Sequence, residues 1–240
     1  MIRRLRRALG RAIIIDRASD RGSSAIDRIA RERAEENYRF ASRYVAGREV
    51  LDIGGGSGIG HPFLLAAGAA RVVSIDIHAG LEGNGGRDPR LTYLQGDFFS
   101  YDFPDGSFDV LICIGVLFYL PQHDVAIGKM NRLLRPGGVL VINCIDRGMV
   151  ARYFGMTLAE IDPKFTTTYT ARELGDQLAR HFSAAPEAFV QQPVGDTTGR
   201  LAALRVWLAP VGWLFGRHPV SAAAARVTAM FNYFVVRKAT

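Results

Sequence analysis

The sequence predicts a doubly wound α/β fold, in which a mostly parallel, seven-stranded sheet has an insertion before its last strand. Two observations support this. Short apolar runs alternate with helical segments along the 240 residues, and the first run leads directly into a dense glycine cluster between residues 54 and 60. Apolar residues make up 48% and charged residues 22% of the chain, as in globular proteins, and the length favours one domain.

The glycine cluster follows the first predicted strand, Val50 to Ile53, and precedes a predicted helix over Pro62 to Ala67. Its sequence is GGGSGIG, and it begins two residues after Asp52. Glycine is selected where a strand turns sharply into a helix and a ligand lies against the turn. We therefore interpret this turn as a ligand-binding loop; the alternative is a tight turn without a ligand.

Acidic residues also mark the ends of the next two strands. Arg71 to Ile77 is a β-branched run with Asp76 near its end, where an acid can bind both hydroxyls of a ribose; the alternative is a solvent-facing loop residue. Leu91 to Leu94 is the third strand. Asp97 and Phe98 follow it, where a carboxylate and a ring could contact a planar base. Residues 81–90 are predicted to form a loop or a distorted short helix.

The central strand of the predicted sheet is Phe108 to Ile114, which is apolar almost throughout. A helix is predicted over Asp124 to Leu134, with a stop at 135–138 and a further buried strand over Val139 to Ile145. Cys113 and Cys144 lie inside these two strands, so we expect buried free thiols in a reducing compartment.

The C-terminal part contains a predicted helix that runs from a capping box at Thr170 and Glu173 to about His181. Strands are predicted at Ala188 to Val190 and Phe231 to Val236, with residues 195–230 as an insertion between them. Within it, residues 201–216 carry two tryptophans and one charge. A lid, a homodimer contact, peripheral membrane contact and core packing all remain open for this segment.

Residues 1–22 form a basic N-terminal extension, with five arginines in the first eleven positions and apolar residues at helical spacing. Such a helix can lie on an anionic membrane surface, and a solvated extension is the alternative. No export signal or membrane span is expected, which favours a cytoplasmic protein, either free or peripheral to the inner face of a membrane. A helix is predicted over 25–45. The net charge of +7 comes from 27 arginines and only 3 lysines, so coding bias can explain part of it.

Several motifs occur together in a defined order. DxGxGxG is complete from Asp52, an acid ends the second strand, and GDF, PDGSFDVLIC and LLRPGGVLVI follow. Together they resemble the class I S-adenosylmethionine-dependent methyltransferases, in particular the small-molecule group that includes quinone-biosynthesis enzymes. The resemblance covers roughly residues 38–182. The dinucleotide fingerprint G-x-G-x-x-G fails in both registers, and no Gly-Lys-Ser/Thr follows the glycines as a P-loop requires.

The resemblance implies a Rossmann-like methyltransferase domain over residues 23–240, with S-adenosylmethionine as cofactor, a small-molecule acceptor and no metal. It implies that the glycine loop faces the methionine part of the cofactor, that the second-strand end binds the ribose, that GDF binds the adenine, and that the end of the central strand lies below the sulfonium. The cofactor-binding residues are then Asp52, Gly54, Gly55, Gly56, Gly58, Asp76, Ile77, Asp97, Phe98, Ile114 and Gly115.

Candidates for a catalytic base lie past the ends of the fourth and fifth strands, where ligands bind in open α/β sheets. They are His123, Tyr119 and Asp146. The alternatives are a surface histidine at a helix start and a packing ring at Tyr119. The family commonly places a histidine near the position of Tyr119, and this sequence does not.

The class of methyl acceptor is inferred by eliminating acceptors whose characteristic motifs the sequence lacks. No Asn/Asp-Pro-Pro-Tyr/Phe motif follows the fourth strand and no Pro-Cys nucleophile is present, which disfavours methylation of DNA. The sequence therefore favours in-line methyl transfer to oxygen of a sugar, a lipid-linked intermediate or a secondary metabolite. The alternatives are a non-catalytic adaptor at a membrane surface and an RNA methyltransferase.

Overall fold

The computed structural model describes residues 25–78, 88–154, 156–161, 164–165, 169–186, 188–192 and 231–240. Seven strands form one sheet: β1 (Glu49–Ile53), β2 (Arg71–Asp76), β3 (Leu91–Gln95), β4 (Phe108–Cys113), β5 (Leu134–Ile145), β6 (Ala188–Gln192) and β7 (Phe231–Arg237). The helices in these ranges are α1 (Ala25–Ala41), α2 (His61–Ala66), α3 (His123–Leu133), α4 (Arg147–Phe154), α5 (Leu158–Ile161) and α6 (Ala171–Phe182).

The sheet has the order β3-β2-β1-β4-β5-β7-β6. Strands β1 to β5 pair in parallel, and β7 lies antiparallel between β5 and β6. The predicted mostly parallel, seven-stranded α/β fold is therefore confirmed. Because the chain crosses over in opposite directions from β1, the loops after β1 and β4 diverge at the carboxyl edge, where open α/β sheets bind ligands.

Helices cover both faces of the sheet, as a doubly wound fold requires. One core contains Tyr38 and Phe40 of α1 together with Val50, Val110 and other residues of the same sheet face. The second core contains apolar residues of α3 and α6, packed against alternate residues of the same strands. The continuous apolar runs of β1 and β4 follow from this burial on both sides.

The chain differs from the prediction at the junction of α3 and β5. The prediction made residues 135–138 a helix stop before a strand at Val139, whereas β5 already begins at Leu134, which pairs with Phe108. Val139 then pairs with Val110, so the register shifts within two residues of β4. The four residues between accommodate this irregularity, with Gly137 at φ +73°.

Two predictions for the second half of the sheet and its helices, the capping box at Thr170 and the burial of the two cysteines, are confirmed. The capping box is present, because Thr170 accepts from the backbone N–H of Glu173 and the Glu173 carboxylate accepts from that of Thr170. Cys113 and Cys144 are both buried, and neither forms a disulfide within the described residues. Residues 151–165, for which the sequence indicates little regularity, contain the end of α4 and the short α5.

Several predicted segments lie outside the described residues: the extension at 1–22, most of the loop at 81–90, and the insertion at 195–230 with its tryptophan-rich part. Within the described ranges, none of the helices has both the length and the apolar character that a bilayer crossing requires. The same ranges contain no cluster of three or more His, Cys, Asp or Glu side chains placed to hold a metal ion.

Candidate functional site

The glycine loop after β1 has the backbone conformation that its sequence indicates. Gly54, Gly56 and Gly58 have φ values of +74°, +55° and +79°, which L residues rarely adopt. A Cβ on Gly54 would collide with the side chain of Val116, and one on Gly58 would lie 3.0 Å from the Tyr93 hydroxyl. At Gly56, a Cβ would meet no protein atom within 4 Å, and this residue is exposed. The open surface of the loop is therefore at Gly56.

Asp52, the acid that begins the motif, lies beneath this loop rather than on its open side. Its side chain is fully buried and accepts hydrogen bonds from the Tyr38 hydroxyl at 3.0 and 3.1 Å. His61 Nε2 lies 3.0 Å from its Oδ2, and His61 Nδ1 lies 2.9 Å from the Tyr93 hydroxyl. If Nε2 carries the proton and Tyr93 donates to Nδ1, every group in this network is satisfied.

The buried network also holds the loop in place. A Cβ on Gly55 would collide with the Ser74 hydroxyl and lie 2.9 Å from Asp52 Oδ2, so only glycine lets the loop sit this close to Asp52. Sequence reasoning did not find the roles of Tyr38, His61 and Tyr93. They come from three elements distant in the chain, and no local motif marks them.

Asp76 joins the ends of β1 and β2. Its Oδ2 accepts the N–H of Gly56 at 2.9 Å, and its Oδ1 accepts the N–H of His78 at 2.9 Å. A carboxylate has about four acceptor positions, so two remain for the hydroxyls of a ligand on the open side of Gly56. Ile77, which follows, is 61% exposed, so its side chain is available for contact with a flat ring.

Asp97 and Phe98 lie close to Asp76, because the N–H of Gly96 donates to the Asp76 carbonyl at 2.8 Å. The carboxylate of Asp97 is exposed and bonds to the Phe99 N–H and the Ser100 hydroxyl. The ring of Phe98 is 3% exposed and packs in the core, so it does not form an open base-stacking surface.

The end of β4 provides the next part of the edge. Ile114 is buried, and Gly115 has φ +74° with no protein atom within 4 Å of a hypothetical Cβ. The N–H of Gly115 donates to Oδ1 of Asn143 in β5 at 2.7 Å. Asn143 is fully buried, and its Nδ2 has no hydrogen-bond partner among the described residues. This donor was not found from the sequence.

His123 is the first residue of α3, but it is buried rather than on the surface, with 5% of the residue exposed. Its ring packs 5.1 Å from that of Tyr169, and neither ring nitrogen makes a hydrogen bond of normal geometry within the described part of the chain. Burial lowers the pKa of His123, and the backbone of Leu120 partly offsets this. The imidazole is thus neutral near pH 7. Gln122 before it has a left-handed conformation, φ +43°.

The other two candidate bases have different surroundings. The ring of Tyr119 packs 4.8 Å from Phe118 and 5.2 Å from Phe165, in an aromatic group that follows β4. The Asp146 carboxylate accepts the N–H of Gly148 at 2.8 Å and the N–H of Ala171 at 3.0 Å. It therefore joins the starts of α4 and α6.

The open side of the site thus combines a glycine loop without side chains, a carboxylate with remaining acceptor capacity, an exposed apolar side chain and a second exposed carboxylate. These groups fit a ligand that carries a ribose and a base, and whose remaining part lies along Gly56 towards Gly115. The residues that would hold the ribose and base come from the ends of β2 and β3.

Comparisons with known proteins agree with this arrangement. Residues 51–142 match the model of a methyltransferase domain. The chain is 34% identical over 124 residues to a probable S-adenosylmethionine-dependent methyltransferase of Mycolicibacterium smegmatis, covering 48% of each chain. It is 32% identical over 149 residues to the mitochondrial ubiquinone biosynthesis O-methyltransferase of Schizosaccharomyces pombe, covering 56% of this chain and 53% of that one. The chain thus spans about half the length of these curated relatives.

A solved structure supports the fold. The N-methyltransferase NodS of Bradyrhizobium japonicum WM9, in complex with S-adenosyl-L-homocysteine, aligns with a TM-score of 0.58 at 19% identity, over 92% of this chain and 90% of that one. The motifs, the strand order and the matched region lead to one conclusion. Residues 51–142 thus match a methyltransferase domain, and the chain is similar to class I S-adenosylmethionine-dependent methyltransferases, whose cofactor is S-adenosylmethionine.

Proposed function

We propose that this protein transfers the methyl group of S-adenosylmethionine to an oxygen atom of a small molecule, with His123 as the group that accepts the proton of the acceptor hydroxyl. The observation that carries the proposal is the buried imidazole of His123 at the carboxyl edge of the sheet, where neither ring nitrogen makes a hydrogen bond of normal geometry within the described residues. Burying an imidazole without hydrogen bonds is destabilising, and the hydroxyl of a bound acceptor would supply a partner.

The cofactor supplies a methyl group that is already activated by its positive sulfur. The chain's own residues then have two tasks, which are to align the acceptor and to remove a proton. Alignment can contribute up to about 7 to 11 kcal/mol in well-oriented systems. The cofactor-binding residues named from the sequence are proposed to hold the donor, with Gly56 and Asp76 on its open side, and with Asp52 and the buried Phe98 supporting the site from beneath.

Oxygen is the proposed methylated atom because a hydroxyl must lose its proton, and a neutral imidazole can accept it. The ubiquinone biosynthesis O-methyltransferase among the relatives supports the same class. Tyr119 and its aromatic neighbours after β4 are proposed to contact an acceptor with an apolar or planar part. Asp146 is proposed to position α4 and α6, since its carboxylate already accepts two backbone N–H groups.

Binding of the cofactor is tested by titrating S-adenosylhomocysteine into Gly56→Val and wild-type protein in a calorimeter. The control is Gly106→Val. Gly106 also has a positive φ and open space around a hypothetical Cβ, but lies before β4, at the opposite edge of the sheet. Both variants carry similar backbone strain. We expect only Gly56→Val to lose binding; equal affinities in the two variants, or no binding by wild-type protein, would contradict the proposal.

Transfer is tested with labelled S-adenosylmethionine and a panel of catechols, hydroxylated quinols, sugars and amines, with products identified by mass spectrometry. We expect O-methyl products, and a loss of kcat of about 10²-fold or more in His123→Gln with cofactor affinity retained, in line with general-base catalysis. Label transfer only to nitrogen or carbon acceptors would refute the choice of oxygen, and an unchanged kcat in His123→Gln would refute its role.

A further inference from the structure

A lysine on α3 controls the shape of the short turn that presents Asp97. The Nζ of Lys129 donates to the carbonyls of Phe98 at 2.8 Å, Phe99 at 3.1 Å and Tyr101 at 2.7 Å. An ammonium group has three N–H donors. These three carbonyls therefore match its full donor capacity, and the turn is bonded to a helix 28 or more residues away in sequence.

The same turn has its N–H groups bonded from the other side by Asp97. Asp97 Oδ1 accepts from the Phe99 N–H at 3.3 Å, and the Asp97 carbonyl accepts from Ser100 and Tyr101 at 3.1 and 3.0 Å. Asp97 thus acts on the donors of the turn and Lys129 on its acceptors. Because backbone polar groups away from water need partners, removing the Lys129 side chain leaves three carbonyls of the turn without this donor.

The packing around Lys129 also favours a compact ammonium group. Its Nζ lies 5.0 Å from the ring centroid of Phe98, which is buried. Burial and the nearby charge of Arg132 lower the pKa of Lys129, and the charges of Asp102 and Asp97 oppose that shift. An ammonium group has three rotatable N–H donors, whereas a guanidinium holds its donors in one plane and in a fixed fork.

The composition of the chain makes the presence of lysine, rather than arginine, at position 129 informative. The sequence has 27 arginines and only 3 lysines, so a cation placed only for surface charge would be expected to be arginine. Lys238 is a second lysine that donates to a backbone carbonyl, that of Leu134, at 2.7 Å. Two of the three lysines in the sequence thus donate to backbone carbonyls.

We propose that Lys129 is a positioning residue that sets the affinity and base selectivity of the adenine end of the cofactor site, by holding the 97–101 turn so that the Asp97 carboxylate faces the 6-amino group. The inference rests on the assignment of the cofactor. Lys129 does not contact the cofactor and acts through Asp97. The 97–101 turn lies close to Asp76, the proposed ribose-binding residue, because the N–H of Gly96 donates a hydrogen bond to the backbone carbonyl of Asp76.

The test compares wild type with Lys129→Met, Lys129→Arg and the control Lys238→Met. Dissociation constants are measured by calorimetry for S-adenosylhomocysteine and S-inosylhomocysteine, which has a carbonyl in place of the 6-amino group, and Tm is measured for each protein. We expect wild type and Lys238→Met to prefer the adenosyl compound by tenfold or more. In Lys129→Met the affinity for it should fall at least tenfold and the preference should approach unity, with Lys129→Arg close to Lys129→Met.

A merely structural role would lower Tm and leave the preference unchanged. The proposal would be overturned if Lys129→Met had a lower Tm but an unchanged preference for the adenosyl compound. It would also be overturned if Lys129→Arg kept the full preference, or if Lys238→Met lost the preference to the same extent as Lys129→Met. Should Lys129→Met not fold, the Lys129→Arg comparison decides, because it keeps the charge and the long stem. Failure of wild-type protein to bind either compound would instead refute the proposed function, so the two failures are distinguishable.

Discussion

Oδ1 of Asn143 accepts a hydrogen bond from the backbone N–H of Gly115 at 2.7 Å, and this contact joins β5 to the turn after β4. Because the oxygen is fixed by that N–H donor, the amide has one orientation, and Nδ2 is the group without a partner in the described part of the chain. Gly115 lies at the carboxyl edge with open space around it. The contact therefore fixes the backbone where the reacting groups are proposed to meet.

Replacing Asn143 by leucine should affect both stability and turnover. The N–H of Gly115 loses its acceptor, so we expect the free energy of unfolding to fall by about 1 to 3 kcal/mol. We also expect kcat to fall more than the affinity for S-adenosylhomocysteine. Asn131→Leu is the control, since Asn131 donates from Nδ2 to the His181 carbonyl and has a buried Oδ1 without a partner in the described ranges. Similar kcat values for the two variants would contradict the expectation.

The buried network under the glycine loop should depend more on Tyr38 than on Tyr93. The Tyr38 hydroxyl bonds to the Asp52 carboxylate, and the Tyr93 hydroxyl bonds to a ring nitrogen of His61. Bonds to charged groups contribute about 1.5 to 3 kcal/mol and neutral ones about 0.5 to 1.5 kcal/mol. We expect Tyr38→Phe to lose more unfolding free energy in urea than Tyr93→Phe, and also to bind S-adenosylhomocysteine more weakly. A larger loss of unfolding free energy in Tyr93→Phe than in Tyr38→Phe would contradict this ranking of the two hydrogen bonds.

His123 should make the protein less stable in mild acid. Burial lowers its pKa below the value of about 6.5 expected in the unfolded chain. Between these two pKa values the unfolded chain binds more protons, so stability rises with pH. The contribution is fully present above about pH 6.5 and is lost as the pH falls towards the lowered pKa. We expect urea unfolding between pH 7.5 and 5 to show a smaller pH dependence in His123→Gln; an identical dependence would argue that the imidazole is accessible.

The capping box of α6 should contribute measurably to stability. Thr170→Ala removes the acceptor for the Glu173 N–H, and caps of this kind contribute about 1 kcal/mol. For a chain of this size we expect Tm to fall by about 2 to 4 °C. Thr157→Ala is the comparison, because Thr157 and Glu160 make the same contacts at the four-residue α5. We expect a smaller fall in Tm for Thr157→Ala, since α5 is the shorter helix; a larger fall than for Thr170→Ala would contradict this expectation.

Local signals made most of the fold predictable. Apolar runs separated by helical segments predicted the seven strands, and the glycine cluster predicted the loop between β1 and α2. Thr170 and Glu173 predicted the start of α6. The start of β5 was missed because Arg-Pro-Gly-Gly is typical of a helix stop. Only the pairing of Leu134 with Phe108 extends the strand across this sequence.

The sequence by itself predicted the seven strands along the chain, the glycine loop after the first strand, and the acids Asp76 and Asp97 at or just after strand ends, because these depend on residue types at fixed local spacing. Only the tertiary structure decided that Asp52 is buried beneath the loop, that His123 is a buried imidazole, and that Lys129 bonds the turn at 97–101. These roles depend on desolvation and on donors from elements far apart in the chain. Neither property is encoded in the spacing of neighbouring residues.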